Sequence, residues 1–386
     1  MKVTGAEVFV LGDPAPSGKI DARTRELPFL RIHTDAGLTG LSEMFHVPGG
    51  VARTVFAAPD AYLGKLLVNQ DPTSPERVST MLYDAMMHNN RRGWLAMCIG
   101  AADVALWDIY GKAVGRPVFE LLGGAERSRS QRISVWEGQA VTPYATVVST
   151  DWDEPSMIQQ QLDRVGALRD RGFRAFKIEP MNSTPGAIVK LARLARAELG
   201  PDCLLAVDVG YLWNDVPTAA RVCNQLAEYE IAFVETPFPV DAIEAYARLA
   251  ELTTVPLAAG EHSVTRWEFL DLMDRGRVQV VQPYMTTCGG LTEAKRIVEL
   301  AKARGVSVWP GNWSTQVLGA ATVHLALHSP ITPAIEYHPW QVSWSPLQRA
   351  IGEIAFPVVD GRIHAPTAPG IGIDLPSELV AAFRLA

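Results

Sequence analysis

The feature that most constrains this chain is a repeated alternation of short apolar runs and helical stretches, which begins at Ile133 and ends near Tyr337. Eight runs rich in Val, Ile, Phe or Ala are strand candidates: ISVWEG, FRAFKIE, LLAVDVG, IAFVETP, VPLAAGE, VQVVQP, VSVWP and PAIEY. The stretches between them carry apolar residues three or four positions apart, as amphipathic helices do. Strands that alternate with helices pair in parallel, with right-handed crossovers and the helices outside the sheet. Eight such units predict an α/β fold, a modified eight-stranded (β/α) barrel of the TIM type.

The spacing of polar residues supports a closed barrel. Lys177, Asp208, Glu235 and Glu261 follow successive strand candidates at intervals of about 30 residues, the length of one strand–helix unit. An open, doubly wound sheet is the rival architecture, and it normally has a glycine-rich nucleotide loop after its first strand. The segment ISVWEGQAVTPYA contains no GxGxxG, so the barrel is favoured over the open sheet.

The segments at either end of this repeat follow other patterns. Residues 1–125 begin with TGAEVFVLG and PFLRIHTDAGLTGLSEMF, which are typical of antiparallel strands, and continue with helical stretches. They predict an α+β domain that precedes a barrel domain of residues 126–347. The Pro-rich segment 348–386 is predicted to be mostly extended and to pack back on the first domain.

Composition and charge limit the classes of partner. The formal net charge is −7 and no run rich in Lys or Arg occurs, whereas nucleic-acid binding requires a basic face, so we expect no nucleic-acid partner. Cys98, Cys203, Cys223 and Cys288 are scattered and form no CxxC pair, which is typical of reduced thiols in a cytoplasmic protein. The chain has neither a signal-like amino terminus nor a run of about 18 apolar residues, so no membrane association is expected.

Three successive strand candidates end in a carboxylic acid: Asp208 in AVDVG, Glu235 in FVETP and Glu261 in AAGEH. The carboxyl ends of parallel barrel strands meet at one mouth, so these side chains are expected to share a pocket. Their mutual repulsion demands a counter-charge, and oxygen-only ligands favour Mg²⁺ over Zn²⁺ or copper. Each acid taken alone could cap the following helix instead, but three on adjacent strands favour a metal site.

Lys177 is expected to face the same mouth, as is Glu179 two residues later on the same strand face. A lysine in an apolar strand is unfavourable unless it is paired or used in catalysis, so Lys177 is either an acid–base catalyst or a salt-bridge partner. Glu336, on the eighth strand candidate, either donates a proton or hydrogen bond to a developing enolate or pairs with Lys177.

The runs FLRIHTDAGLTGLSEMF and CIGAADVALWDIYGKAVGRPVFELLGG, together with the series Lys177, Asp208, Glu235, Glu261 and Glu336, resemble the enolase superfamily, and in particular its mandelate racemase-type subgroup. The resemblance spans nearly the whole chain. It implies that the first domain caps the barrel mouth, and that Mg²⁺ on Asp208, Glu235 and Glu261 binds the substrate carboxylate and stabilises an enediolate. It also implies that Lys177 is the first Lys of a KxK base motif and that Glu336 supports the substrate carboxylate. Acid-sugar dehydratases are abundant in this subgroup.

Three positions depart from the pattern of that subgroup. Glu179 replaces the second Lys of KxK, Tyr284 replaces the Asp of a QPD-type segment, and Gly311 replaces the His expected on the seventh strand. Racemisation needs an acid–base group on both faces of the planar enediolate, so these departures favour one-sided chemistry. Since a neighbouring anion raises the pKa of a lysine, two hypotheses follow: Glu179 or Tyr284 takes over part of the proton transfer, or Lys177 acts as an acid or electrostatic group.

Residues near the predicted mouth are candidates for substrate binding. They are Lys19, Arg23 and His46 in loops of the first domain, and Trp309, Asn312 and Trp313 after the seventh strand. A purely solvated role is an equal alternative for each of the loop residues. His262 and His338 are interpreted as structural histidines, with an acid–base role open to His262.

Three functional hypotheses result. The first is Mg²⁺-dependent removal of the proton next to a carboxylate, which leads to dehydration of a sugar acid to a 2-keto-3-deoxy acid. The second is a one-base isomerase or cycloisomerase that acts on a carboxylate or lactone. The third is a barrel that has kept its metal site but lost turnover, and only binds an acid ligand. The expected partner is a small-molecule carboxylate, and we expect the protein to form a homo-oligomer.

Overall fold

The computed structural model of the chain describes residues 1–13, 26–57, 61–89, 91–124 and 140–385. Its first part contains an antiparallel sheet of strands β1 (Val3–Leu11), β2 (Leu27–Thr34) and β3 (Thr39–Glu43). The helices that follow in the described residues are α1 (Gly49–Phe56), α2 (Gly64–Leu67), α3 (Pro75–Ala85), α4 (Trp94–Val114) and α5 (Val118–Leu121). This arrangement confirms the predicted α+β domain at the amino-terminal end.

Helix α4 is apolar around most of its circumference because it packs against the sheet on one side and the barrel on the other. Glycines allow the close approach on both sides. A Cβ atom at Gly40 would collide with the carbonyl oxygen of Ala105, and one at Gly100 would collide with that of Thr286. Neither α4 nor any other helix in the described ranges has the length and hydropathy needed to cross a membrane.

A barrel follows strand β4 (Ala140–Val141), which belongs to a separate small sheet. The barrel strands in the described residues are β5 (Pro143–Val147), β6 (Ala175–Ile178), β7 (Leu204–Asp208), β8 (Val234–Glu235), β9 (Leu257–Ala259), β10 (Val280–Val281), β11 (Ser307–Val308) and β12 (Ile335–Tyr337). All pair in parallel. Backbone hydrogen bonds from Val308 N to Ile331 O (3.1 Å) and from Glu336 N to Pro310 O (2.9 Å) join the last two strands and close the circle. The predicted eight-stranded barrel is confirmed.

The first barrel strand was predicted at the wrong segment. The run ISVWEG, residues 133–138, lies outside the described residues. The strand that pairs with β6 and β12 is β5, with the sequence PYATV. Both segments are short apolar runs next to turn residues, and periodicity alone does not distinguish between them.

The helices outside the barrel are α6 (Glu154–Asp170), α7 (Pro185–Leu199), α8 (Val216–Leu226), α9 (Ile243–Leu252), α10 (Thr265–Leu270), α11 (Leu291–Arg304) and α12 (Gln316–His328). Several begin at a side-chain cap. The Asp215 carboxylate, for example, accepts a hydrogen bond from Thr218 N (2.7 Å) at the start of α8, which satisfies an amide that has no partner within the helix.

Side chains from the strands fill the lower half of the barrel. Tyr144, Phe233 and Trp309 interlock there, with the Trp309 ring edge-on to Phe233 at a centroid distance of 5.2 Å. Small side chains on the intervening strands, such as Ala175 and Ala206, make room for them. This packed layer is the floor on which the polar residues at the strand ends lie.

The carboxyl-terminal segment contacts the first domain directly. Strands β13 (Val358–Val359) and β14 (Arg362–His364) form the small sheet with β4. Farther on, Leu385 N donates to Val10 O (2.9 Å) beside β1. The segment is less extended than predicted, because it contains helices α13 (Pro346–Glu353) and α14 (Ser377–Phe383). The boundary expected after residue 347 falls inside α13.

His324 joins the first domain to the barrel from α12. Its buried imidazole accepts a hydrogen bond at Nδ1 from Phe119 N (3.1 Å), at the start of α5. Burial lowers the pKa of this imidazole to about 4, since there is no water around it to solvate the charged form.

Acidification is therefore expected to destabilise the folded protein through His324. Between about pH 6.5 and 4 the unfolded chain binds a proton at this residue that the folded chain does not, so the free energy of unfolding falls by about 3 kcal/mol as the pH is lowered across that window. Urea unfolding of wild type and His324→Gln at several pH values between 7 and 4 measures the effect. The variant should lose less stability on acidification. His33→Gln, at a partly exposed position, should keep the wild-type slope, and equal slopes in all three proteins would contradict the assignment.

Candidate active site

A cavity of about 620 Å³ lies at the carboxyl ends of the barrel strands, beneath the first domain. Its polar lining comes mainly from the barrel: Lys177, Glu179, Asp208, Tyr211, Glu261, His262, Tyr284 and Glu336. Phe45 and His46 line it from the loop after β3, and Trp152, Trp313 and Trp344 add apolar surface. The cavity therefore combines a charged barrel end with an aromatic wall, as expected of a site for a small polar molecule.

The Lys177 ammonium group lies at the centre of the charged residues and is almost completely buried. Its Nζ atom is 2.9 Å from Glu235 Oε1 and 2.9 Å from Glu336 Oε1. It is also 3.5 Å from Asp208 Oδ2 and 3.6 Å from Glu179 Oε1. Burial disfavours the charged lysine, but Glu235, Glu336 and Asp208 outweigh this effect and raise the pKa of Lys177 well above its usual range. Lys177 is thus an ammonium ion at neutral pH in this arrangement.

Neutral donors hold the two acids at the ends of β7 and β8. Asp208 Oδ1 accepts hydrogen bonds from Thr236 Oγ1 (2.6 Å) and Gly210 N (2.8 Å). Glu235 Oε2 accepts one from Gln282 Nε2 (2.6 Å). Thr236 has a left-handed backbone with φ of 47°, which is unusual for a β-branched residue, and such strain is common at functional sites.

Glu261 follows β9 and lines the same cavity as Lys177. Its Oε1 atom accepts a hydrogen bond from the Tyr211 hydroxyl (2.6 Å) and lies 3.6 Å from His262 Nε2. The His46 ring, on the first domain, is 4.9 Å from the His262 ring between centroids. His46 also has a left-handed backbone, with φ of 66°, so both histidines lie at a strained junction between the domains.

The acids of the site repel one another. Burial raises the pKa of Glu235 well above its usual range, and the charges of Asp208, Glu336 and Glu261 add to this effect against Lys177. Burial also raises the pKa of Glu261, with a further contribution from Asp208. Glu179 behaves in the same way, because burial and the charges of Asp208 and Glu336 outweigh its contact with Lys177. The site therefore contains more acidic groups than one ammonium ion can keep ionised.

Glu336 connects strand β12 to nearby strands on both sides of it. Its Oε1 atom accepts from Thr146 Oγ1 (2.7 Å) as well as contacting Lys177. Its Oε2 atom accepts from Asn312 N (2.8 Å) and from the Tyr284 hydroxyl. Lys177 and these hydrogen bonds lower the pKa of Glu336 against the effect of burial, so Glu336 remains a carboxylate.

Only some of the residues predicted to contact substrate line the cavity. Trp313 and His46 line the cavity. Trp309 instead packs into the barrel floor, and Asn312 is fully buried with its backbone amide on Glu336. The Trp309 ring packs against Tyr144 and Phe233, and the Asn312 amide group lies beside Gly319 of α12, so neither side chain lines the cavity. Lys19 and Arg23 lie outside the described residues.

Several residues of the site were absent from the sequence-based predictions: Tyr211, Trp152 and Trp344, which line the cavity, and Gln282, which donates a hydrogen bond to Glu235. Gln282 lies two residues before Tyr284, so the strand period that linked Lys177 to Glu179 could have identified it. Trp152 and Trp344 have no comparable signal, because they reach the cavity from loops that follow β5 and β12.

Two protein-family models together match most of the chain. Residues 160–379 match the enolase C-terminal domain-like family, and residues 8–123 match the mandelate racemase/muconate lactonizing enzyme N-terminal domain. The chain belongs to the enolase superfamily. Within that superfamily it is of the mandelate racemase and muconate lactonizing enzyme type, which confirms the resemblance seen in the sequence.

Individual relatives in the superfamily cover nearly the whole chain. The D-galactarolactone cycloisomerase of Agrobacterium fabrum is 28% identical over 397 residues, which cover 100% of this chain and 99% of that protein. The D-galactonate dehydratase of Xanthomonas axonopodis pv. citri is 32% identical over 370 residues, or 91% of this chain and 89% of that protein. The crystal structure of the 3,6-anhydro-D-galactonate cycloisomerase of Zobellia galactanivorans has a TM-score of 0.85 over 100% of both chains, at 24% identity, and supports the fold alone.

Members of the enolase superfamily typically use Mg²⁺, and the donor chemistry of this site fits that ion. Asp208, Glu235 and Glu261 offer only oxygen atoms, and the excess of negative charge would be balanced by a divalent cation. Among the described residues, no three acids, histidines or cysteines are close enough together to bind an ion as they stand. The ammonium group of Lys177 contacts both Asp208 and Glu235 and supplies part of the positive charge that these carboxylates require.

Removal of one ligand is expected to weaken Mg²⁺ binding. Asp208→Asn, Glu235→Gln and Glu261→Gln each remove one anionic oxygen donor, so the affinity measured by calorimetry on protein freed of metal should fall at least about 10-fold in each variant. Glu244→Gln, which changes an exposed acid on α9, is the matched control and should bind like wild type. Unchanged affinity in all three site variants would contradict this ligand set.

Proposed function

We propose that this protein removes the proton next to the carboxylate of a small sugar acid and eliminates water from the neighbouring carbon, which yields a 2-keto-3-deoxy acid. The observation that carries the proposal is the cavity of about 620 Å³ in which Lys177 lies within 3.6 Å of four carboxylates. A cavity of this size suits a small ligand. The similarity to a D-galactonate dehydratase supports the substrate class.

Asp208, Glu235 and Glu261 would hold Mg²⁺, which when bound would draw electron density from the substrate carboxylate and make the neighbouring proton more acidic. The protein contributes the orientation of these acids. Thr236, which follows β8, donates a hydrogen bond to Asp208, and Gln282, which follows β10, donates one to Glu235, so both carboxylates are held in position by other strands.

Lys177 and Glu179 act as a pair in the proton transfer. Both line the cavity, and their charged atoms are 3.6 Å apart. A raised pKa makes the Glu179 carboxylate a stronger base than an exposed one, while Lys177 keeps a positive charge beside the anion that forms on the substrate. Because Lys177 already carries its proton, the Glu179 carboxylate accepts the abstracted one, and the ammonium group 3.6 Å away stabilises that carboxylate.

The same pair can complete the elimination. The proton taken from the carbon next to the carboxylate passes to the departing hydroxyl group, so that one water molecule leaves and the base is restored. All of these transfers take place on the side of the substrate that faces β6. A second acid–base group on the opposite side is not required, in keeping with glycine at position 311.

A cycloisomerase is the second candidate, because the D-galactarolactone cycloisomerase of Agrobacterium fabrum matches the chain over its full length. The first step would be the same removal of a proton next to a carboxylate. The leaving group would then be the ring oxygen of a lactone, which stays attached to the product, so no water would be released.

A panel of aldonic acids, aldaric acids and their lactones with Mg²⁺ distinguishes these reactions. Both reactions give a 2-keto acid that reacts with semicarbazide. Mass spectrometry separates them, because the dehydration product is lighter than its substrate by one water molecule, whereas the cycloisomerisation product has the mass of the lactone. Deuterium uptake from D₂O, followed by NMR, reports the proton removal common to both. Acid binding without keto product, lactone consumption or deuterium uptake would overturn the proposal and support a barrel that only binds its ligand.

Loss of either member of the proton-transfer pair is expected to abolish most of the activity. Lys177→Met and Glu179→Gln should each lower kcat about 100-fold or more, the usual contribution of a positioned acid or base. Deuterium uptake should fall in parallel. Lys190→Met, which removes an exposed lysine on α7, is the matched control and should behave like wild type. Full activity of Lys177→Met would remove Lys177 from the mechanism.

A further inference from the structure

The ring of Tyr284 fills the space beside Gly311. The two residues form a parallel β-bridge just beyond β10 and β11, and Gly311 N donates to Pro283 O (3.2 Å). A Cβ atom built on Gly311 would overlap the carbon atoms of the Tyr284 ring. Gly311 does not have a positive φ, so glycine is required here by the neighbouring ring and not by the backbone conformation.

The hydroxyl group of Tyr284 is hydrogen-bonded to Glu336. It donates to Glu336 Oε2, and the other oxygen of the same carboxylate lies 2.9 Å from Lys177 Nζ. A chain of contacts therefore runs from Tyr284 through Glu336 to Lys177. Movement of the ring would be transmitted along this chain, because each member is nearly completely buried.

The first domain holds the ring from above. The Phe45 ring stacks on Tyr284 with a centroid distance of 5.5 Å and an angle of 16° between the planes. The tyrosine is thus confined by Phe45 on one side, by Gly311 on the other and by Glu336 at its hydroxyl end. Few rotamers are compatible with all three contacts.

We propose that Tyr284 and Gly311 form one positioning unit, which orients Glu336 and through it Lys177 for proton transfer. This inference rests on the proposed function. Tyr284 acts here as a positioning residue, not as the proton donor, because burial and the charge of Glu336 raise its pKa well above the usual range. The proton of its hydroxyl group stays on the tyrosine and orients the carboxylate.

Removal of the hydroxyl group tests the chemical half of the unit. Tyr284→Phe keeps the ring but removes one of the hydrogen-bond donors to Glu336, so the pKa of Glu336 should rise and the acid limb of the kcat–pH profile should move upward by about one unit. We expect kcat to fall about 10-fold with little change in KM. The matched control is Tyr337→Phe, at a buried tyrosine whose hydroxyl oxygen accepts a hydrogen bond from Gln341. It should leave the kcat–pH profile unchanged.

Displacement of the ring tests the steric half. Gly311→Ala should push Tyr284 away, lower kcat at least 10-fold and lower the Tm. In a Tyr284→Ala background the same Gly311→Ala change should have almost no further effect, because the ring is gone. Gly186→Ala, at a glycine with free space around it, is the matched control.

The outcomes separate this inference from the proposed function. If wild type turns over an acid or exchanges its proton, and both Tyr284→Phe and Gly311→Ala retain its rate and pH profile, the positioning unit is wrong and the function stands. If wild type is inactive on every acid, the proposed function fails, and the Tm cycle still decides whether positions 284 and 311 are coupled. Additive Tm changes at the two positions would overturn the unit in either case.

Discussion

The site depends on one buried ammonium group that faces more carboxylates than it can neutralise. Lys177 contacts Glu179, Asp208, Glu235 and Glu336, and Glu261 lines the same cavity. Buried charges of one sign are tolerated only when other groups satisfy them. Hydroxyl and amide donors on neighbouring elements do so here: Thr146, Tyr211, Thr236, Gln282 and Tyr284. These donors orient the acids but add no positive charge, which leaves the site suited to a further cation.

The same principle fastens the first domain to the barrel. Glu43, at the end of β3, is fully buried and accepts hydrogen bonds from Thr315 Oγ1 (2.6 Å) and Leu318 N (3.3 Å) at the start of α12. Phe45 and His46 come shortly after Glu43 in the chain, so this contact helps to determine where they lie over the cavity. A buried acid satisfied by the other domain therefore places the wall of the site, and rigid placement of that wall is what a specific cavity requires.

The part of the site that could be predicted from the sequence depends on strand period and spacing. Strands β7 and β8 end at Asp208 and Glu235, and β12 carries Glu336. The convergence of these side chains follows from the parallel topology alone. The first strand could not be located, because ISVWEG and PYATV are equally plausible buried runs. The directions of Trp309 and Asn312 were also beyond reach, since they depend on packing against Tyr144, Phe233 and helix α12.

The three departures from the subgroup pattern are connected in space, although the sequence presents them as separate losses. Tyr284 occupies the volume that glycine at position 311 leaves open, and its hydroxyl group binds Glu336. Glu336 and Glu179 then contact the same Lys177 ammonium group from two sides. Loss of function by drift would leave cavities or unsatisfied polar groups at such positions, whereas here the ring fills the space and its hydroxyl group has a partner. This arrangement supports the proposed acid–base chemistry, in which the proton transfers would be confined to the side of the substrate that faces Lys177.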